Sequence, residues 1–290
     1  MFKEPNFCCR VSEKERISQS RSTRLVYAES EQAARDCLDK KNYFVHSVKP
    51  YDFKTEWERD TKDARAQAEK SHDDPKFKFP NLWGDLMEHL QDLYLHKCAY
   101  CDGSYEAFGT GDVEHFRPKG KVTEDDTHPG YWWLAYDPSN YLPSCKKCNE
   151  AAKTNHFPIE GKRARGPGDS LEAEKPLLMH PNKDRWQGNV RFRPSTDPEE
   201  PAWADGLTEK GKVSIKILEL NRKPLRDARV RVQQLARGEN VTAWMVLIAT
   251  RSNSQLQAVR LRYQAGELPF YAAAMDEIEA YNTEMIELAK

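Results

Sequence analysis

Residues 111–119 read GDVEHFRPK, which packs two acids, a histidine, an arginine, a proline and a lysine into nine positions. The stretch is bracketed by two CxxC pairs, Cys98-Ala-Tyr-Cys101 and Cys145-Lys-Lys-Cys148, with 43 residues between them. A CxxC turn aims two thiolates at one tetrahedral centre, and two such turns complete a closed four-cysteine zinc site. A closed shell leaves no open coordination position, so this zinc is structural and the chemistry belongs elsewhere. The gap exceeds ordinary zinc-ribbon spacing, so a substantial substructure is looped out between the knuckles. GDVEHFRPK lies inside that loop.

Composition bounds what else the chain can be. Its 290 residues suit one main domain with appendages. Hydrophobic residues make up 38% and charged residues 31%; the seven Trp, twelve Tyr and eleven Phe can nucleate a core. The net charge of −1 excludes a global basic field, so any nucleic acid must be gripped by a local patch. The N-terminus lacks the apolar core of a secretory signal, and no run approaches the roughly 18 apolar residues of a membrane span. The expectation is a soluble, cytoplasmic protein without a membrane partner. In a reducing compartment paired CxxC motifs favour metal over disulfides. Cys8, Cys9 and Cys37 are left over and read as small hydrophobes or bystanders.

The pattern along the chain predicts three regions. Residues 1–80 form an N-terminal appendage: a polar start over 1–22 with little order, and a small βαβ-like unit over about 24–50. That unit holds a strand, a helix opening at Ser30 and a strand around Tyr43–Val48. A charged helix and linker follow over 54–79. Residues 81–192 form the zinc-stapled domain, entered by an amphipathic helix with Leu82, Leu86, Leu90 and Leu93 at helical spacing. Residues 193–290 start with a turn-rich insertion and continue as mostly helical, partly basic sequence.

Between and after the knuckles lie EHFRP (114–118), NYL (140–142) and Asn149. The order CxxC, [Asp/Glu]-His-x-x-Pro, Asn-x-Leu, CxxC-[His/Asn] resembles the HNH nucleases. Their ββα-metal fold is two short antiparallel strands followed by a helix. The segments EHFRPKGK, GYWWLAYDPSNYLPSC, CNEAAKTNHFPI, EKPLLMHP and GKVSIKILELNRKPLRDAR look more narrowly like the HNH component of Septu and retron anti-phage systems, over about residues 82–235. The fold expected is therefore α+β: a ββα-metal HNH core stapled by a four-cysteine zinc site, surrounded by helices, with the small N-terminal appendage.

The resemblance implies roles position by position. His115 matches the general base that activates water for attack on a phosphodiester, a task suited to an imidazole. Glu114 matches the acid that ligates one divalent cation, Mg²⁺ or Mn²⁺, and Asp112 is the alternative ligand. Asn149 matches the last motif position, a hard oxygen donor. Asn140 matches the middle position, which holds the histidine loop through the backbone. His156, seven residues beyond Asn149, falls two turns down the expected helix on the same face; it reaches the metal or a phosphate, or is structural. The resemblance also implies an ABC- or SMC-like ATPase partner, since the chain has no GxxxxGK[ST] loop of its own.

Nucleic acid, DNA before RNA, would be gripped by local charge. Residues 115–165 carry nine Lys or Arg against six acids, and 209–237 nine against three. Arg117, Lys119, Lys146, Lys147 and Lys153 are the phosphate-binding candidates. Tyr131, Trp132 and Trp133 read as core rather than base-stacking residues, and nothing resembles a base-reading helix. The competing reading is a non-catalytic zinc module that binds nucleic acid or protein.

Overall fold

The computed structural model describes residues 7–13, 23–28, 45–50, 53–104, 111–250, 254–264 and 269–288. The chain divides into two compact units, Met1–Asp92 and Leu93–Lys290. In the first unit, strands β1 (Phe7–Glu13), β2 (Thr23–Ala28) and β3 (Val45–Pro50) form a sheet in the order β2-β1-β3, with both outer strands antiparallel to β1. The two strands expected near 24–50 are thus present and run parallel to each other, but β1 lies between them. That strand falls where little order was expected. Its signal is the alternation Phe7, Cys9, Val11, a period of two hidden by the charged sequence around it. The helix expected from Ser30 lies outside the described residues.

Two short helices follow, α1 (Phe53–Asp60) and α2 (Lys62–Ser71), matching the charged helical stretch. They bury a narrow stripe, Trp57, Ala64 and Ala68, and leave Glu58, Arg59, Lys62, Asp63, Glu69 and Lys70 exposed. Thr61 sits at the joint and donates its hydroxyl to the Trp57 carbonyl at 2.7 Å. The Leu-patterned segment becomes a 3₁₀ turn, Trp83–Leu86, running into α3 (Met87–Leu93).

The second unit is built around a small antiparallel pair, β4 (Asp112–His115) and β5 (Tyr141–Ser144), in the register Asp112↔Ser144 and His115↔Tyr141. A seven-residue π-helical turn, Lys147–Lys153, follows β5 directly. A second hairpin, β6 (Val190–Phe192) with β7 (Ala204–Gly206), closes the turn-rich insertion. Helices α4 (Glu209–Ile217), α5 (Lys223–Thr250), α6 (Ser254–Gln264) and α7 (Tyr271–Leu288) complete the unit. Ala236 of α5 packs on Ala274, Met275 and Ile278 of α7, joined by Val232 and Val259. Small residues at the crossing let the helix backbones come close. No helix among the described residues is long and apolar enough to cross a membrane.

Of the aromatic run expected in the core, Tyr131 is fully buried and its ring packs against His128, Trp133 and Phe157, while Trp132 and Trp133 are only half-buried at its edge. Gly130, just before it, has φ +86, and a Cβ there would collide with the Gly120 carbonyl. Gly130→Ala should therefore destabilise the unit by more than about 3 kcal/mol, because neither backbone can yield cheaply. A thermal melt that shifts by less than a degree would show that the two loops do not meet in this way.

Candidate active site

His115 ends β4 and is buried. Its Nε2 donates to the Ala135 carbonyl at 3.0 Å, and the Tyr141 hydroxyl donates to the same oxygen at 2.8 Å while its ring stands edge-on to the imidazole. Because a carbonyl can only accept, Nε2 carries the hydrogen and Nδ1 the lone pair. Burial first, then the Lys119 ammonium, lowers the imidazole pKa to about 3, against the opposing pull of the Ala135 carbonyl. The ring is therefore neutral over the physiological range.

The Asn140 side chain is buried and bonds the loop after His115 on both sides. Its Oδ1 accepts from the Arg117 backbone N–H at 2.8 Å, and its Nδ2 donates to the Arg117 carbonyl at 3.0 Å. The Phe116 N–H also donates to the Asn140 carbonyl at 2.8 Å. An amide that reads both backbone groups of one residue fixes that residue's orientation as well as its position.

Asp112 stands at the far end of β4, with the Asn149 side chain within hydrogen-bonding reach of its carboxylate. Burial, with Glu150 nearby, raises its pKa. Its Oδ2 is buried and has no hydrogen-bond partner. His156 does not join this group. The π-helical turn ends at Lys153, Thr154 takes a positive φ of 46°, and His156 instead bonds Glu124 through Nδ1 at 2.8 Å. The two-turn spacing failed because the helix ends at Lys153, four residues after Asn149.

Glu114 is buried, and its Oε1 lies 2.5 Å from the Lys153 ammonium and 3.3 Å from the Tyr100 hydroxyl that donates to it. Lys119 adds a second positive charge on the same carboxylate. Lys153, expected on a phosphate-binding wall, is fully buried and donates to the His115 carbonyl at 3.0 Å, so it faces the protein interior instead. Arg117 is likewise drawn inward. It donates through Nε to the fully buried Glu174 at 2.8 Å and lies over the Phe157 ring. Of the five basic candidates, Lys146 and Lys147 are the exposed ones, and Lys147 is 3.9 Å from Glu219.

The four cysteines converge as the spacing implied. Their Sγ atoms lie within 4.8 Å of one another, close to the separation of about 3.8 Å that a tetrahedral zinc with 2.3 Å bonds requires. They could hold a zinc ion. The thiols perturb each other strongly: hydrogen bonds from Cys101, Cys148 and Cys98 drive Cys145 well below the usual range, while sulfur neighbours drive Cys101 up. Sulfurs this crowded share protons unless a cation takes their place. The Cys98 carbonyl accepts from Asp102 N–H and the Cys145 carbonyl from Asn149 N–H, so each knuckle is a closed turn. Arg222 Nη2 donates to Cys148 Sγ at 3.3 Å.

No protein-family model matches the chain, and no solved structure matches it. The chain is homologous to Septu protein PtuB of Bacillus mycoides (strain KBAB4), at 34% identity over 166 residues, 55% of each chain. It is also similar to Septu protein PtuA of the same organism, 29% identical over 154 residues, 51% of this chain and 21% of PtuA. The chain thus spans about half the length of PtuB and a fifth of PtuA.

Sequence reading missed Glu174, Tyr100 and Arg222, which act on the site from 57, 14 and 74 residues away in sequence from their respective partners. None carries a local signal, since acids and bases of these types are usually solvated.

Two outcomes test this description. Cys145→Ser with Cys148→Ser should abolish zinc retention, measured by elemental analysis, and lower the melting temperature by more than about 10 °C. Acidification supplies the second. The folded-state pKa values of His115 and His180, about 3 and about 4, lie below the unfolded value near 6.5. The unfolded chain therefore binds more protons below pH 6.5, and stability should fall as pH drops through that window, by on the order of 2 kcal/mol per histidine at pH 5. Denaturant melts of His180→Gln should show a shallower loss between pH 6.5 and 5 than the parent.

Proposed function

We propose that this chain is a metal-dependent HNH endonuclease, the hydrolytic effector of an anti-phage defence system that acts in the cytoplasm beside a separate ABC- or SMC-like ATPase. The observation that carries this reading is the setting of His115. A neutral imidazole with its Nε2 tied to a backbone carbonyl sits at the end of a strand whose antiparallel partner leads straight into a helical turn bearing Asn149. This arrangement matches the ββα order expected of an HNH core. Homology to PtuB and PtuA supports the defence context.

The chemistry follows from the residues. His115 Nδ1 takes a proton from water, and the resulting hydroxide attacks phosphorus and expels the 3′ oxygen, leaving a 5′ phosphate. A depressed pKa keeps the base deprotonated at rest, yet it also weakens it. The arriving phosphodiester corrects this, since its negative charge beside the ring favours the imidazolium that forms. Asn140 keeps the base aimed by locking the backbone of Arg117. The structural zinc belongs to the four cysteines, which fit it in number, type and spacing.

Asp112 and Asn149 fit a hard divalent ion, Mg²⁺ or Mn²⁺, because Asp112 Oδ2 is a buried oxygen without a hydrogen-bond partner and the Asn149 amide beside it, which donates to the carboxylate here, would offer its oxygen once rotated. Such an ion supplies charge stabilisation at the phosphate and the leaving oxygen. Exposed Lys146 and Lys147 flank that end of the site and offer phosphate contacts to DNA. His115→Ala should cut plasmid DNA at least about 100-fold more slowly than the parent in Mg²⁺ while remaining folded and zinc-loaded, with some loss of melting temperature from the cavity. A variant that cuts as fast as the parent would overturn His115 as the base, whereas a parent that cuts neither DNA nor RNA would favour the non-catalytic zinc module.

A further inference from the structure

The acid beside His115 stands where a divalent ion would be expected, but its surroundings are already cationic. Lys153 has no exposed surface, and its ammonium bridges two consecutive residues of β4, the carboxylate of Glu114 at 2.5 Å and the carbonyl of His115 at 3.0 Å. Tyr100 from the first knuckle donates to the same carboxylate oxygen, and Lys119, after β4, presents a further charge to it. A divalent ion at oxygen-ligand distance, about 2.1 Å, would have to displace Lys153 or sit against its charge. The displaced ammonium would be left buried without a counter-charge, a costly state.

The backbone explains how Lys153 arrives there. Thr154 N–H donates to the Asn149 carbonyl at 2.8 Å, a bond five residues long, so the turn is wider than an α-helix. Asn149 occupies one end of this turn and Lys153 the other, and the positive φ of Thr154 stops the helix there.

We propose that Lys153 is a positioning residue, the built-in counter-ion of Glu114 and a direct support of His115, so that Glu114 holds the strand rather than a divalent ion. This rests on the reading of His115 as the base. It also separates the two acids of β4 by role: Glu114 is spent internally, and Asp112 is the acid left to face an ion.

The test uses the full chain purified with zinc and compares Glu114→Gln, Lys153→Met, the pair together, and Lys153→Arg. Melting temperatures form a double-variant cycle. Each neutralising single variant should lower the melting temperature, Lys153→Met most, and the pair should recover most of the loss because no buried charge is left alone. Mn²⁺ uptake, read by electron paramagnetic resonance of the free ion, should be unchanged within about threefold in the pair. With Mg²⁺ and plasmid, the pair should lose at least about tenfold in kcat with KM little altered, and Lys153→Arg should regain part of it.

Additive losses of melting temperature would overturn the counter-ion claim. A drop of more than about tenfold in Mn²⁺ affinity in the pair would make Glu114 a metal ligand and overturn the proposal. A parent that takes up no Mn²⁺ leaves the melting cycle to decide. Melting and Mn²⁺ uptake need no nucleic acid, so they stand or fall separately from the His115→Ala cleavage test of the nuclease reading.

Discussion

The meeting of two cysteine knuckles is the constraint on which the rest of the Leu93–Lys290 unit depends. Joining Cys98 and Cys101 to Cys145 and Cys148 closes a loop that holds β4, the aromatic core and the turn into β5. Strands of four residues cannot hold each other in water by their own ladder. With their outer ends fixed at the knuckles, the entropy of closing the loop is spent once, and the strand pair forms in the space left. The helical region is attached to the same point. Arg222, at the approach to α5, bonds Cys148 Sγ, and the Asp102 carboxylate in the first knuckle accepts from Tyr271 N–H, the first residue of α7. The packing of α5 on α7, which combines the apolar contacts of Ala236 with the Arg237–Glu277 ion pair, is thereby referred to the cysteine cluster.

Much of this was legible in sequence because the signals are local. CxxC spacing, the acid-histidine pair and the two asparagines each lie in a few adjacent residues, and the fold brings the cysteines together and sets Asn140 against the loop after His115. The helical character of the C-terminal region was legible but not its division into separate helices, and the first strand of the N-terminal sheet was overlooked because three alternating apolar positions among charges are a weak pattern. What sequence could not supply was the pairing of charges. Lys153 and Arg117 look like surface bases by composition, and only the folded chain brings them to Glu114 and Glu174, 39 and 57 residues away by number. Charged residues are mostly exposed, so a reading by type places them outside by default. His156 failed for a different reason: a helical repeat was extended past Thr154, where nothing in the residue types marks the stop.

The buried charges explain how so small a sheet keeps its geometry. Hydrophobic residues make up 38% of the chain and charged ones 31%, which leaves little apolar surface to hold a four-residue strand by packing alone. Apolar contacts also tolerate sliding, whereas an ion pair or a two-point amide clamp is satisfied in one register only. Glu114 is held by Lys153, Arg117 by Glu174 through its side chain and by Asn140 through its backbone, and Glu174 in turn accepts from the Tyr131 hydroxyl and the Ala164 N–H. Positions 114, 115 and 117 are each gripped by a polar partner from a different segment. Desolvating these groups costs stability, and a well-packed apolar replacement could be as stable. It would not fix where the His115 imidazole points. The charges around β4 therefore serve direction rather than strength, and a second, partly buried set, Arg237 with Glu277 and Asn240 with Asn282, aligns α5 on α7 in the same way.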